Sequence, residues 1–121
     1  MGVNYTEAVV HRRMSLEDYA AVTSTNAAKL LGLYPRKGAI AVGSDADIAI
    51  IDPAIKKTLR MADLHVRDYS PWEGWQVEGW PTTVILRGKV MVANGQLLGS
   101  PSDGQLIARK IDPRVLRRPA F

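Results

Sequence analysis

Residues 23–53 read TSTNAAKLLGLYPRKGAIAVGSDADIAIIDP, and they join a capped helical segment to a turn-rich strand. Ser24, Thr25 and Asn26 are all good capping types, so the pattern predicts a short helix that restarts there. That helix runs through Ala27, Ala28, Leu30 and Leu31, and Gly32 is placed to end it. After Tyr34 and Pro35 the pattern changes. Gly38, Gly43 and the run Ser44-Asp45-Ala46-Asp47 punctuate two short apolar segments. Ile48 to Ile51 is continuously apolar, which predicts a strand buried on both faces, and Asp52-Pro53 is expected to stop it.

Working outward, Ser15 before Leu16, Glu17 and Asp18 reads as a helix start, with the serine capping free amides and the acids favouring the positive end. Leu16, Tyr19, Ala20 and Thr23 recur on one face. On the other side, Thr58 to Met61 reads as a further short strand. Residues 61–81 read as an irregular aromatic loop, with Tyr69, Trp72, Trp75 and Trp80 spaced by Pro71, Gly74 and Gly79. Tryptophans left in water would waste apolar area, so this loop is expected to be packed. Thr82 to Arg87 and Val90 to Ala93 form a predicted β-hairpin around Gly88-Lys89, and Asn94-Gly95 turns the chain into Gln96, Leu97 and Leu98. The fold class is α+β. Residues 1–38 are a helical segment, residues 39–100 a β-strand region containing the 61–81 loop, and residues 101–121 a basic C-terminal tail.

At 121 residues the chain is one modest domain or part of a larger one. It has no cysteine, which excludes disulfides and thiolate metal sites. No apolar run is long enough for a bilayer and no signal-peptide stretch opens the chain, so no membrane partner is expected and cytoplasm is the expected compartment. Residues 1–108 balance eleven Lys and Arg against eleven Asp and Glu, so the net charge of +4 sits wholly in the last thirteen residues. There Arg109, Lys110, Arg114, Arg117 and Arg118 face Asp112 alone. Such a tail can bind nucleic acid. The favoured reading is a solvated or interface-packed extension, because Ile111, Val115, Leu116 and Phe121 are interleaved with the charges.

Candidate sites are few. The only histidines, His11 and His65, are far apart and belong to no ligand pair, so both are read as surface or hydrogen-bonded structural residues. Asp45 and Asp47 lack the further oxygen ligands of a calcium loop, and Asp47 is expected to bond turn amides. Ser24, Ser44, Ser70, Ser100 and Ser102 lie in no nucleophile elbow and have no histidine base nearby in sequence. There is no phosphate-binding glycine loop. The tryptophan loop could stack a base or sugar, though its punctuation favours packing. No catalytic, cofactor-binding or metal-binding residue is assigned.

Three stretches together resemble the C-terminal region of the hydantoinase and dihydropyrimidinase family of metal-dependent amidohydrolases. TSTNAAKLLGLYPRKG, residues 23–38, resembles the family's Ser-x-Asn-Pro-Ala-Lys segment, with Ala27 where proline is usual. IAVGSDADIAIIDP, residues 40–53, resembles its Gly-x-Asp-Ala-Asp turn and following strand. Residues 70–95 resemble its closing region through Ser-Pro-Trp-Glu-Gly-Trp, Gly-Trp-Pro and Ile-Leu-Arg-Gly-Lys-Val. The resemblance covers about residues 15–98. Pro71 to Gly74 and Gly79 to Pro81 favour the hydantoinase branch over the allantoinase and dihydroorotase branches.

The resemblance implies a parent (β/α)₈ barrel holding two divalent metals, usually zinc, on a His-x-His pair, a carboxylated lysine, two further histidines and an aspartate. A metal-bridging hydroxide there opens a cyclic amide while the aspartate handles the proton. All those ligands precede the region resembled, so none is carried over, and no cofactor is expected in this chain. The short N-terminal helices would be the end of the missing barrel, followed by strands of a partial β-sandwich. Asp45, Asp47 and Arg87 match family positions and are read as turn and strand-pairing residues. Met1 falls mid-protein by this measure, so a truncated frame, an internal start and an expressed fragment are the readings.

The leading expectation is therefore the C-terminal portion of a hydantoinase-like hydrolase of cyclic amides, assembly-competent but inactive alone. Its expected partners are a second copy or the missing N-terminal barrel portion, with nucleic acid disfavoured. The alternative is an independent non-enzymatic scaffold or interaction module. The tail separates these classes. Burying a residue such as Leu116 contributes about 1.5–3 kcal/mol, against about 0–1 kcal/mol for an exposed ion pair. Replacing Leu116 and Phe121 with serine should weaken oligomers in light scattering, while Arg117→Gln with Arg118→Gln should do little. Salt-sensitive DNA or RNA binding lost with those arginines would reverse the assignment.

Overall fold

The computed structural model describes residues 1–64 and 68–117, except for the side chains of Val115 and Leu116. Helical segments come first: α1 (Gly2–Tyr5), a π-helical stretch Thr6–His11, α2 (Leu16–Ala20), a second π-helical stretch Ala21–Thr25, and α3 (Asn26–Leu30). Four strands follow, β1 (Ile48–Thr58), β2 (Gln76–Leu86), β3 (Lys89–Ala93) and β4 (Gln96–Leu97). They form one antiparallel sheet in the order β1-β2-β3-β4. A short helix α4 (Pro113–Leu116) comes last. The α+β class is as expected.

Ser15 caps α2 as anticipated, its hydroxyl accepting from Asp18 N at 3.0 Å. The predicted restart at Ser24 to Asn26 does not occur. Thr25 and Asn26 keep right-handed helical angles, so α2, the π-helical stretch and α3 form one unbroken helix. Of the capping residues, Thr25 uses its hydroxyl elsewhere, donating to Gly38 O at 2.7 Å, and the preceding Thr23 Oγ1 donates to Tyr19 O at 2.7 Å. A hydroxyl inside a helix can turn back on its own chain, so capping type alone does not mark a start. Gly32, at φ +69, ends α3 in a Schellman arrangement, with Leu33 N donating to Ala28 O and Gly32 N to Lys29 O.

The sheet corrects three expectations. Asp52-Pro53 does not stop β1. Its pairing shifts between Asp52 and Lys56, so residues 53–55 bulge opposite Gly79 and the strand resumes to Thr58. Proline has no amide to donate, and a bulge is where a strand tolerates it. Thr58 to Met61 is accordingly no separate strand, since Thr58 ends β1 and Met61 opens a 3₁₀ turn. The aromatic loop is also shorter than residues 61–81, because Gln76–Pro81 belongs to β2. Gly79 and Pro81 mark irregular pairing, which in sequence looks like a loop. Nor is β1 buried on both faces. It is an edge strand, and Ile50 is 49% exposed.

The hairpin turns act as expected. Arg87 and Gly88 both have positive φ, as do Asn94 and Gly95, the signature of type I′ turns. The first turn is therefore centred on Arg87-Gly88, one residue before the expected position. Trp72 and Trp75 meet edge to face, with centroids 5.1 Å apart, yet both remain about two-fifths exposed. The packed reading holds better for Trp80, which is half-buried beneath Lys57 Nζ at 4.4 Å from the ring centroid.

Leu59, Val77, Tyr19 and Ala28 make a small core. The helical layer meets the sheet where β3 no longer covers β2. Buried Thr6 there accepts from Glu78 N at 3.0 Å, and its hydroxyl lies 2.8 Å from Gly2 O and 3.0 Å from Glu78 O. The threonine thus replaces a neighbouring strand at an otherwise unmatched sheet edge. Beside it, Gly79 sits at φ +81 against the Tyr5 ring, which a Cβ there would overlap. Tyr5 in turn packs edge to face on Tyr19, with centroids 5.6 Å apart. Thr6→Val should cost about 1–3 kcal/mol by stranding the Glu78 amide. Gly79→Ala should cost about 2–4 kcal/mol from the left-handed backbone and the overlap. Urea unfolding checks both, and equal stability of either variant would show that this contact does not hold the layers together.

Candidate functional site

The charged groups of the turn-rich segment converge on one junction. Lys37 Nζ lies 2.9 Å from Asp45 Oδ2 and also bonds Asp47 Oδ2, while Arg36 Nε lies 3.0 Å from Asp45 Oδ2. The other oxygen of Asp47 accepts from Arg87 N at 2.8 Å. Asp47 does bond a turn amide, but that of the β2–β3 turn, forty residues on, not of its own turn. Ser44 Oγ donates to Pro35 O at 2.8 Å, closing the loop between the segments. Arg36 and Lys37 were not singled out in the sequence. Their only signal was two cations facing two acids across a glycine-bounded loop.

The Lys37 hydrogen bond, with Arg36 beside it, holds the Asp45 carboxyl below the usual aspartate range. Burial pushes Asp47 up, but the bonds from Lys37 and Arg87 N outweigh it and leave it lowered. Burial pulls Lys37 down, and its two carboxylate partners more than reverse this. With every acidic oxygen pair engaged by a cation or an amide, the junction is a tie between α3, β1 and the hairpin. It is not a vacant ligand set.

The other candidates are dispersed. Exposed His11 places Nδ1 3.1 Å from Glu7 Oε1, and His65 lies outside the described residues. Ser24 is exposed, and Ser70 Oγ accepts from Trp72 N at 3.2 Å. Ser100 and Ser102 bond each other at 2.9 Å beside Asp103. Asp103 holds Lys89 Nζ at 2.8 Å, and its carbonyl accepts from Arg87 Nη2, which ties the start of the tail to the hairpin. Further on, Lys110 N donates to Gly32 O at 3.1 Å. The side chains of Val115 and Leu116, and Arg118 and Phe121 entirely, lie outside the described residues. No group of three His, Cys, Asp or Glu among the described residues is arranged to hold a metal. Two divalent metals of the kind the resemblance implies do not fit this donor set. No helix among the described residues is long and apolar enough to cross a membrane.

What the chain does present is apolar surface. Ile40, Val42 and Leu106 are almost wholly exposed, Leu97 and Leu98 more than half, and Leu16 and Val22 likewise on the helices. Its accessible area is 9165 Å². A compact monomer of this mass would show about 6,500 Å².

The profile of the amidohydrolase family matches residues 1–91. The chain belongs to that family. It is 43% identical over 105 residues to a D-hydantoinase of Ralstonia pickettii, covering 86% of this chain and 23% of that protein. A solved D-hydantoinase from Bacillus sp. AR9 superposes with a TM-score of 0.86 at 45% identity, covering 91% of this chain and 24% of that one. A dihydropyrimidinase from Brevibacillus agri gives 0.85 at 40% identity, covering 89% and 24%. The chain therefore spans about a quarter of the length of these relatives.

The junction yields a pH prediction for this amidohydrolase-family chain. Depressed carboxyl values mean that Asp45 and Asp47 stabilise fully above the ordinary aspartate value of about 3.9, and lose this as pH falls through their lower folded values. The raised value of Lys37 makes its share full below about pH 10.4 and lost as pH rises through its higher folded value. Asp47→Ala should lower stability at pH 7 by about 1–2 kcal/mol. In thermal melts the gap from the parent chain should close at the acid end, and a gap unchanged down to full protonation would rule out the ion pair as its source.

Proposed function

We propose that this chain performs the part of the C-terminal portion of a hydantoinase-like hydrolase of cyclic amides, and that its role is structural and assembly-directed. The observation that carries this reading is the open apolar surface. Around it, the total accessible area, polar and apolar together, exceeds that of a compact monomer by roughly 2,700 Å², against roughly 800 Å² per partner in an ordinary stable interface. Ile40, Val42, Leu97, Leu98 and Leu106 lie on loops and strands that nothing within the described residues covers. The chain's relatives are about four times as long, and two bear the name D-hydantoinase. Supporting this division of labour, the ionic junction consumes the acids that might otherwise serve chemistry.

The natural occupants of such a surface are the remainder of an amidohydrolase barrel or a second copy. The outer edge of β1 offers an extended row of backbone groups for strand pairing, interrupted by its Pro53 bulge. Alone, the chain should self-associate in light scattering, hold no stoichiometric zinc and leave hydantoin and dihydrouracil rings closed. Co-expressed with the barrel portion of a D-hydantoinase, it should co-purify with it. One or two tightly held metal ions together with ring opening by the isolated chain would defeat the proposal. A clean monomer at high concentration that also ignores the barrel portion would favour a self-sufficient module.

A further inference from the structure

A cleft of about 480 Å³ opens where the C-terminal segment crosses the end of α3, lined by Lys29, Gly32, Tyr34, Lys110, Asp112 and Arg114. Its size lies within the roughly 300–1,000 Å³ of small-molecule sites. Asp112 and Arg114 satisfy each other, with Nη2 to Oδ2 at 2.8 Å and Nε to Oδ2 at 3.1 Å, so their charges cancel. Lys29 and Lys110 enter no ion pair among the described residues, so each brings a positive charge to the cleft's lining. Lys29 Nζ stands 5.3 Å from the centroid of the Tyr34 ring, and Tyr34 as a residue is 45% exposed.

A helix C-terminus ordinarily disfavours an anion, because its last carbonyls carry partial negative charge. Here two of those carbonyls, Ala28 O and Lys29 O, are occupied. Ala28 O accepts from Leu33 N and Tyr34 N, Lys29 O from Gly32 N, and Gly32 O from Lys110 N. The last of these bonds also fixes Lys110 beside the cleft, and a Cβ at Gly32 would lie 2.6 Å from Ile111 N. Only glycine there lets the segment approach so closely. Two cationic side chains beside a partly exposed tyrosine suit a ligand with complementary parts.

We propose that this cleft binds a small organic anion bearing a flat ring, its carboxylate or phosphate held by Lys29 and Lys110 and its ring lying against Tyr34. The site is independent of the assembly role, and its test reads no catalytic activity. The full chain, labelled with ¹⁵N, is titrated with phenyl phosphate, benzoate and inorganic phosphate while amide shifts are followed. The aryl anions should move the amides of Gly32, Tyr34 and Lys110, and phenyl phosphate should bind about tenfold tighter than inorganic phosphate. The order of phenyl phosphate and benzoate then tells which anionic group is preferred. Tyr34→Ala should reduce phenyl phosphate to the level of inorganic phosphate. Lys29→Gln and Lys110→Gln should each weaken it about threefold or more, while Arg12→Gln leaves it unchanged. Lys110→Gln retains the backbone amide that bonds Gly32, so it reports on binding even where Tyr34→Ala perturbs folding. Equal affinity for all three anions, shifts spread over every basic residue, or undiminished binding by Lys110→Gln would overturn the site.

Discussion

The hydroxyl of Thr6 is the contact on which the two layers depend. β3 ends its pairing with β2 at Thr83, so at Glu78 β2 pairs with β1 on one side and has no β3 residue on the other. A buried edge of this kind must find hydrogen bonds or lose several kcal/mol of solvation. Thr6 satisfies both backbone groups of Glu78 from a helix, and Gly79 and Gly2 leave room for the approach. Gly2 does so against Trp80, where a Cβ would come within 2.7 Å of the ring. Small residues and one hydroxyl thus accomplish what a further strand would otherwise do.

A second tie acts at the opposite end of the helical layer. Lys37 and Arg36, just beyond α3, grip Asp45 and Asp47, just before β1, and Asp47 reaches on to the β2–β3 turn. Thr25 Oγ1 bonded to Gly38 O draws the same loop back on the helix. The core between these ties is small, with only Leu59 and Val77 fully enclosed among the described residues. Polar contacts therefore set the relative placement of elements that a larger domain would settle by packing.

That balance accounts for the surface the chain leaves open. The strand that read as buried, Ile48 to Ile51, lies at a sheet edge with no strand beyond it among the described residues. A run of apolar residues records the surroundings for which a strand was selected, and those surroundings include whatever packs on it. The same holds for Ile40, Val42 and Leu106. The relatives it matches, D-hydantoinases among them, are about four times its length.

The sequence by itself determined the α+β class, the Ser15 cap, the glycine stop at Gly32, the Asn94-Gly95 turn, the first hairpin turn to within one residue, and the family. Each rests on residues close together, where backbone angles and capping chemistry act locally. It misplaced the helix break at Ser24 to Asn26, the strand end at Asp52-Pro53 and the boundary of the aromatic loop at Pro81. There, hydroxyl bonds to Tyr19 and Gly38 and the pairing of β1 with β2 overrode local preference. Only the tertiary structure decided that Thr6 caps β2, that Asp47 reaches Arg87, and that Lys29, Tyr34 and Lys110 share a cleft. Those partners lie 40 to 81 residues apart, except for Lys29 and Tyr34, and no local rule couples positions so distant. Chain closure brings them together through the fold as a whole.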